Sequence, residues 1–355
     1  MADRYMAYVG SFSYTGEAKG ITCFDVDMEA GHLIYKEEVE VDNSSYLICH
    51  GSLPVLYSLC DEGIVSFHIA SDGSLKRINQ KKINGLRGSH MSISRDNRFI
   101  CISGYHDGKG TVMSINEDGS VGNIKYQFYN KGYGSIAERN FMPHVTCTRF
   151  TADMKYILSV DAGIDQVKIF EPDAEFGKLR LADIIRCELG SSPRFFRFSS
   201  DGKYMYLIYE IANMIDVYKY EEHEDGVPGF EKIQTIRTSV KADPKASLTA
   251  AYAMRLTPGE NKYVLVSNAG ENTVTVYSRE AETGMLTMER SLPISGQFPK
   301  DISIFPDGKH IAVANHQSNE ISLFTIDYEK GLLIMCARNI KINQPNSIRF
   351  VKLPE

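Results

Sequence analysis

Five segments of this chain share one shape. They are SHMSISRDNRFICISGY from Ser89, PHVTCTRFTADMKYILSVDAG from Pro143, SPRFFRFSSDGKYMYLIYE from Ser192, YAMRLTPGENKYVLVSNAG from Tyr252 and PKDISIFPDGKHIAVANHQ from Pro299. Each has a short alternating strand, a polar turn, and a second apolar strand. A third strand follows, such as QVKIF, MIDVY, TVTVY or EISLF, and then a fourth after another turn. The turn acids Asp96, Asp153, Asp201, Glu260 and Asp307 mark the repeat. It returns at roughly 50 residues, the length of a four-stranded antiparallel unit with its loops. Short strands separated by Asp-Gly, Glu-Asn and Asp-Asn turns, with no sustained helical period, predict an all-β chain.

Two weaker units precede these five. One runs from Tyr46, and the other, at the N-terminus, lacks its first strand. The missing strand is found at the other end of the chain, where PNSIRFVKL (Pro345–Leu353) resembles PRFFRF in pattern. The count is then seven. A ring closed by a blade shared between the two termini removes the free sheet edges of an open array. The expected fold is a seven-bladed β-propeller of four-stranded antiparallel blades, one domain over residues 1–355. A pair of β-sandwiches leaves the repeats unexplained.

Composition narrows the function classes. The 355 residues carry a formal net charge of -6, with 43% hydrophobic and 24% charged residues. Nothing in that balance draws the whole chain to nucleic acid or an anionic membrane. No apolar run reaches the roughly 18 residues of a membrane span. The opening MADRYMAYVG has no signal-peptide pattern. The seven cysteines are scattered, with no CxxC pair, so they read as apolar thiols in a reducing compartment. A cytoplasmic location is expected, with a monomer or weak homodimer. No His/Asp cluster calls for a metal, and no cofactor is implied.

In a propeller blade the first strand lines the channel and the second runs back beside it. The residue opening strand one and the residue closing strand two then share one mouth of the channel. This logic groups Arg194 with Glu210, His90 with Tyr105, His144 with Asp161, and Lys300 with Asn315; Asn268 closes the second strand of its own blade. Arg194 and Lys300, with His144 and His90, are donors able to hold an anion, and Glu210, Asp161 and Asp301 are carboxylates. A basic pocket in an acidic protein points to a small anionic ligand. His106 and His316 fall in loops on the same face and read as surface residues. No Gly-x-Ser-x-Gly elbow is present, so a serine nucleophile has no support.

At these residues the chain resembles the seven-bladed propeller lactonases, a family that includes bacterial 6-phosphogluconolactonase and a fungal carboxy-muconate lactonising enzyme. The resemblance covers nearly the whole chain. It implies a catalytic group of His144, Arg194 and Glu210, with Ala269 where the family has a second arginine. Family histidines are replaced by Thr146 and Phe195, while His90 and the Asp161-Ala162-Gly163-Ile164-Asp165 pattern are kept. Together with the blade geometry it gives an expected substrate-binding set of His90, Tyr105, Asp161, Asn268, Lys300 and Asn315. Arg139 and Arg255, from nearby segments, are examples of cations that would compensate for the arginine lost at Ala269. The activity implied is metal-independent acid/base hydrolysis of a phosphorylated or carboxylated sugar lactone. Lactonising cycloisomerisation of a muconate-type dicarboxylate and a non-catalytic binding propeller are the alternatives.

Overall fold

The computed structural model describes residues 3–134, 142–173, 175, 177–223, 226–240 and 248–354. Among them are 28 strands in seven antiparallel four-stranded sheets. Blade 1 joins Tyr5–Ser11, Gly20–Asp27 and His32–Glu40 to the C-terminal strand Pro345–Lys352, which pairs antiparallel with Tyr5–Ser11. The inner strands of blades 2 to 7 are Leu47–Cys49, His90–Ile93, Val145–Phe150, Pro193–Phe198, Ala250–Leu256 and Pro299–Ile304. Each inner strand touches the next, and the last, Pro299–Ile304, touches Pro345–Lys352 of blade 1. The ring is therefore closed by the termini, as the repeats predict.

Two devices explain why these sequences give these blades. In the first hairpin turn a Ser or Thr hydroxyl bonds the aspartate two residues on, and that aspartate accepts a backbone N–H four residues past the hydroxyl. Ser94–Asp96, Thr151–Asp153 and Ser199–Asp201 all do this, which is why the acids mark the period. The second device joins blades. Buried Tyr8, Tyr57 and Tyr206 stand at equivalent positions of their second strands. Each donates its hydroxyl to a glycine carbonyl in the outer hairpin of the next blade: Gly73 at 2.8 Å, Gly119 at 2.7 Å and Gly284 at 2.9 Å. Those glycines have φ of 85°, 80° and 72°, a conformation most side chains resist.

The core lies between blades. One apolar cluster, for example, packs Leu158 of blade 4, Leu207 of blade 5 and Val266 of blade 6. Tyr206 also accepts from the buried Arg279 Nε at 2.7 Å. Tyr206→Phe strands both the Gly284 carbonyl and the Arg279 donor. We expect it to cost about 1–3 kcal/mol of stability by denaturant titration, against under about 1 kcal/mol for exposed Tyr133→Phe.

Candidate active site at one mouth of the channel

The first strands of blades 1, 4, 5, 6 and 7 do not open regularly. Backbone pairing skips a residue between Val145 and Cys147, Pro193 and Phe195, Pro299 and Asp301, and Pro345 and Ser347. The skipped residues Thr146, Arg194, Lys300 and Asn346 are β-bulges, a device that re-aims a side chain. Tyr252 falls in the irregular opening of blade 6, and Ser45 and Ser89 hold the same place in blades 2 and 3. All seven line one cavity of about 310 Å³ at the mouth of the channel.

The turns fix this ring. Asp165, Asn272 and Asn319, each with φ between 52° and 55°, accept the backbone N–H of Ser192 (2.8 Å), Phe298 (2.9 Å) and Gln344 (2.8 Å). Those three residues directly precede the prolines that open their inner strands. They hold φ of 56°, 58° and 44°, a left-handed conformation that is unfavourable for non-glycine residues and persists where the surroundings over-determine it.

Arg194 and Glu210 form the centre of the cavity wall. Arg194 Nη1 donates to Glu210 Oε2 at 2.5 Å, and its Nε donates to the Tyr252 carbonyl at 3.1 Å. Its guanidinium lies 3.3 Å from the centroid of the Tyr252 ring. Burial opposes the Arg194 charge, but Tyr252 and Glu210 outweigh it and hold the pKa above the ordinary value. Lys300 Nζ donates to Asn346 Oδ1 at 2.7 Å and lies 4.8 Å from the Phe12 ring. Burial, then the charges of Arg194 and Arg87, lower its pKa to about 7. Arg87 is held by Asp61 at 2.9 Å. His316, behind Phe298 and Phe12, is lowered to about 4 by burial and Lys300.

The floor is aromatic. His90 packs between Tyr46 (4.7 Å) and Phe195 (5.2 Å). Neither of its ring nitrogens has a hydrogen-bond partner among the described residues. Burial and four nearby arginines push its pKa well down, so the imidazole is neutral. Asp301 lines the cavity, yet it is taken up by Arg255, by Arg349 at 2.8 Å and by the Ile348 N–H at 3.1 Å.

Of the residues singled out in the sequence, Arg194, Glu210, His90, Tyr105 and Lys300 line the cavity. Asp161, Asn268 and Asn315 do not. They are buried and hydrogen-bonded away from the cavity: Asp161 accepts from His144 N, Gly163 N and Asn130, Asn268 donates to Thr238 O, and Asn315 donates to Ser322. The cause is a slip of one residue. Pro193 pairs Tyr209, as Val145 pairs Asp161 and Pro299 pairs Asn315, so these two residues correspond to Tyr209, not Glu210. The counterparts of Glu210 are Tyr105, Ala162 and His316, each one past its strand, and Ala269, the last residue of its own, and one step along a strand turns a side chain to the other face. His144 stands behind the cavity wall: its ring stacks on Tyr105 at 4.3 Å and its Nδ1 lies 2.7 Å from the Tyr105 carbonyl. His106, read as a surface residue, lines the cavity against Tyr105. Arg139 lies outside the described residues, and Arg255 reaches the cavity from the blade that carries Ala269. The sequence reading missed Tyr252 and Asn346, although aligning the repeats on Arg194 brings both into register.

Fold and cavity together define a seven-bladed propeller with a polar site at one channel mouth. A family model described as lactonase, 7-bladed beta-propeller, matches residues 6–350, and the chain belongs to that family. It is 26% identical over 354 residues to a 6-phosphogluconolactonase of Bacillus subtilis, covering 98% of this chain and 99% of that protein. A 6-phosphogluconolactonase of Formosa agariphila is also 26% identical, with 97% and 98% covered. The crystal structure of a putative 6-phosphogluconolactonase from Bacteroides fragilis superposes with a TM-score of 0.86 at 29% identity, covering 99% and 98%. At 22% identity, a periplasmic gluconolactonase of Pseudomonas aeruginosa shares the fold with a TM-score of 0.89.

Proposed function

We propose that this chain is a lactone hydrolase acting on a phosphorylated sugar lactone, 6-phosphogluconolactone first, at the cavity lined by Arg194 and Glu210. The observation that carries the reading is the convergence of one carboxylate and two cations, Glu210, Arg194 and Lys300, from two blades on one buried cavity. The names of the relatives support the substrate class.

Glu210 takes a proton from a water as its oxygen attacks the lactone carbonyl carbon. The carbonyl π pair moves onto oxygen, and Arg194 stabilises the resulting oxyanion. Collapse breaks the ring C–O bond, and the proton on Glu210 passes to the departing ring oxygen. Water is consumed and a hydroxy acid leaves. Lys300, in its ammonium form, and Arg87 attract the substrate phosphate. Blade 6 offers no arginine at Ala269, but Arg255 supplies a guanidinium to the same cavity. His144 is a positioning residue that holds Tyr105 against the substrate. A cytoplasmic location fits the seven cysteines, all free.

The test is the hydrolysis rate of 6-phosphogluconolactone generated in situ, measured against the spontaneous rate. Saturable acceleration is expected, with KM at least about 10-fold lower than for unphosphorylated gluconolactone. No acceleration of either lactone would overturn the reading. Equal KM values would keep the hydrolase and remove the phosphate preference.

A further inference from the structure

At and below the aromatic floor the channel holds four arginines at one level of the inner strands, of which Arg255 also reaches the mouth cavity. Arg149, Arg197, Arg255 and Arg349 occupy equivalent positions of inner strands in blades 4, 5, 6 and 1, paired with Leu158, Tyr206, Leu265 and Tyr8. Arg149 and Arg197 lie 5.8 Å and 5.2 Å from Phe195, and Arg349 lies 4.8 Å from Tyr46, so the guanidiniums sit against that floor. Their mutual charge is felt: burial, then Arg255 and Arg149, drives the Arg197 pKa well down.

One carboxylate serves this set. Asp301 binds Arg255 and Arg349. Arg149 and Arg197 have no carboxylate partner among the described residues. Arg197 Nε donates to the Met254 carbonyl at 3.2 Å, and Arg149 Nε is buried without an acceptor among the described residues. Both side chains are half-buried, and unpaired charge held partly out of water is costly, so two such groups side by side call for a compensating anion. There is room for one. A cavity of about 270 Å³ opens at the far end of the channel, lined by Arg149, Arg197, Arg95, Thr151 and Ser199. None of these residues touches the mouth cavity.

We propose that the far end of the channel is a second anion site, in which Arg149 and Arg197 together bind a phosphoryl dianion. Two uncompensated guanidiniums match two negative charges, and their planar forks suit tetrahedral oxyanions better than halide. The cavity takes either free phosphate or the phosphoryl end of a small metabolite. The bound anion offsets most of the excess positive charge of the four arginines and stabilises the closed propeller.

Thermal unfolding of the purified chain tests this, in increasing inorganic phosphate with chloride keeping ionic strength fixed. A ligand bound to the folded state alone raises Tm saturably. We expect that rise in wild type, its loss in Arg149→Gln and Arg197→Gln, and its retention in Lys300→Gln, which alters only the mouth. A hexose 6-phosphate series then separates sources: saturation at lower concentration than phosphate means a metabolite, and the reverse means the free ion. No saturable rise in wild type overturns the proposal. So does a rise lost in Lys300→Gln but kept in Arg149→Gln. Should the arginine variants not fold, wild-type crystals soaked in selenate decide: an anomalous peak between Arg149 and Arg197 supports the site, and its absence there overturns it.

Discussion

Glu210→Gln is expected to lower kcat on 6-phosphogluconolactone by about 10²–10⁴-fold, the range for removing a general base. The substitution keeps size and shape, and the amide oxygen still accepts from Arg194 Nη1, so the contact survives as a weaker bond from a charged donor to a neutral acceptor. What disappears is the group that takes the proton from water. KM should move little, because Arg87, Lys300 and the ring of bulged residues still hold the substrate. His144→Ala provides the contrast. Its ring touches Tyr105 and not the cavity, so the expected change is in KM, about 3- to 10-fold, with kcat largely kept. Steady-state kinetics on both variants, with matched Tm values as a folding control, decides between the two roles. Near-normal kcat in Glu210→Gln with a collapse in His144→Ala would transfer the base to the histidine and require the Tyr105 wall to open during turnover.

Such a contrast could not be drawn from sequence. The ring itself was legible, because blades are repeats and a repeat declares its own count and closure. Arg194 and Glu210 were legible because a charged residue at each end of an apolar hairpin has to emerge at the same mouth. The slip at Asp161, Asn268 and Asn315 arose from counting strand ends by their last polar residue. Pairing, which fixes the face, ends at Tyr209 in one blade and at Asp161 in another, and neither is marked in the residues. The bulges were equally hidden. A bulge is one unpaired residue, and Thr146, Tyr252 and Asn346 carry no common chemistry that would announce it. The supports at Asp165, Asn272 and Asn319 escaped for a different reason: an Asx side chain that tolerates a left-handed backbone is ordinary turn chemistry, and only the fold shows that each turn reaches the opening of the following blade. The arginine level is periodic in the sequence, in FRF, MRL, TRF and IRF, but each triplet alone reads as a strand with a solvated cation.

The second large effect belongs to Lys300. Its pKa of about 7 lies below the ordinary 10.5 because the ammonium is buried and faces Arg194 and Arg87. His316 also faces it but, with a pKa near 4, is neutral throughout the working range. Two consequences follow with opposite signs. Between pH 7 and about 10.5 the unfolded chain binds a proton that the folded chain does not, so this group makes stability rise with pH, and Lys300→Met should remove that rise. Binding runs the other way. Above pH 7 the free enzyme loses the ammonium, and an anionic substrate must restore the proton to use it. KM for 6-phosphogluconolactone should therefore climb by up to about 10-fold per unit over about pH 7–9, after correction for spontaneous hydrolysis. Lys300→Gln should show a high KM with no such slope, and Lys300→Arg a low KM with no slope, since a guanidinium stays charged. Unfolding and kinetics thus give two independent readings of one proton. A wild-type KM that is flat from pH 6 to 9, or a slope that persists in Lys300→Gln, would remove Lys300 from substrate binding and leave Arg87 and Arg255 as the cations that meet the phosphate.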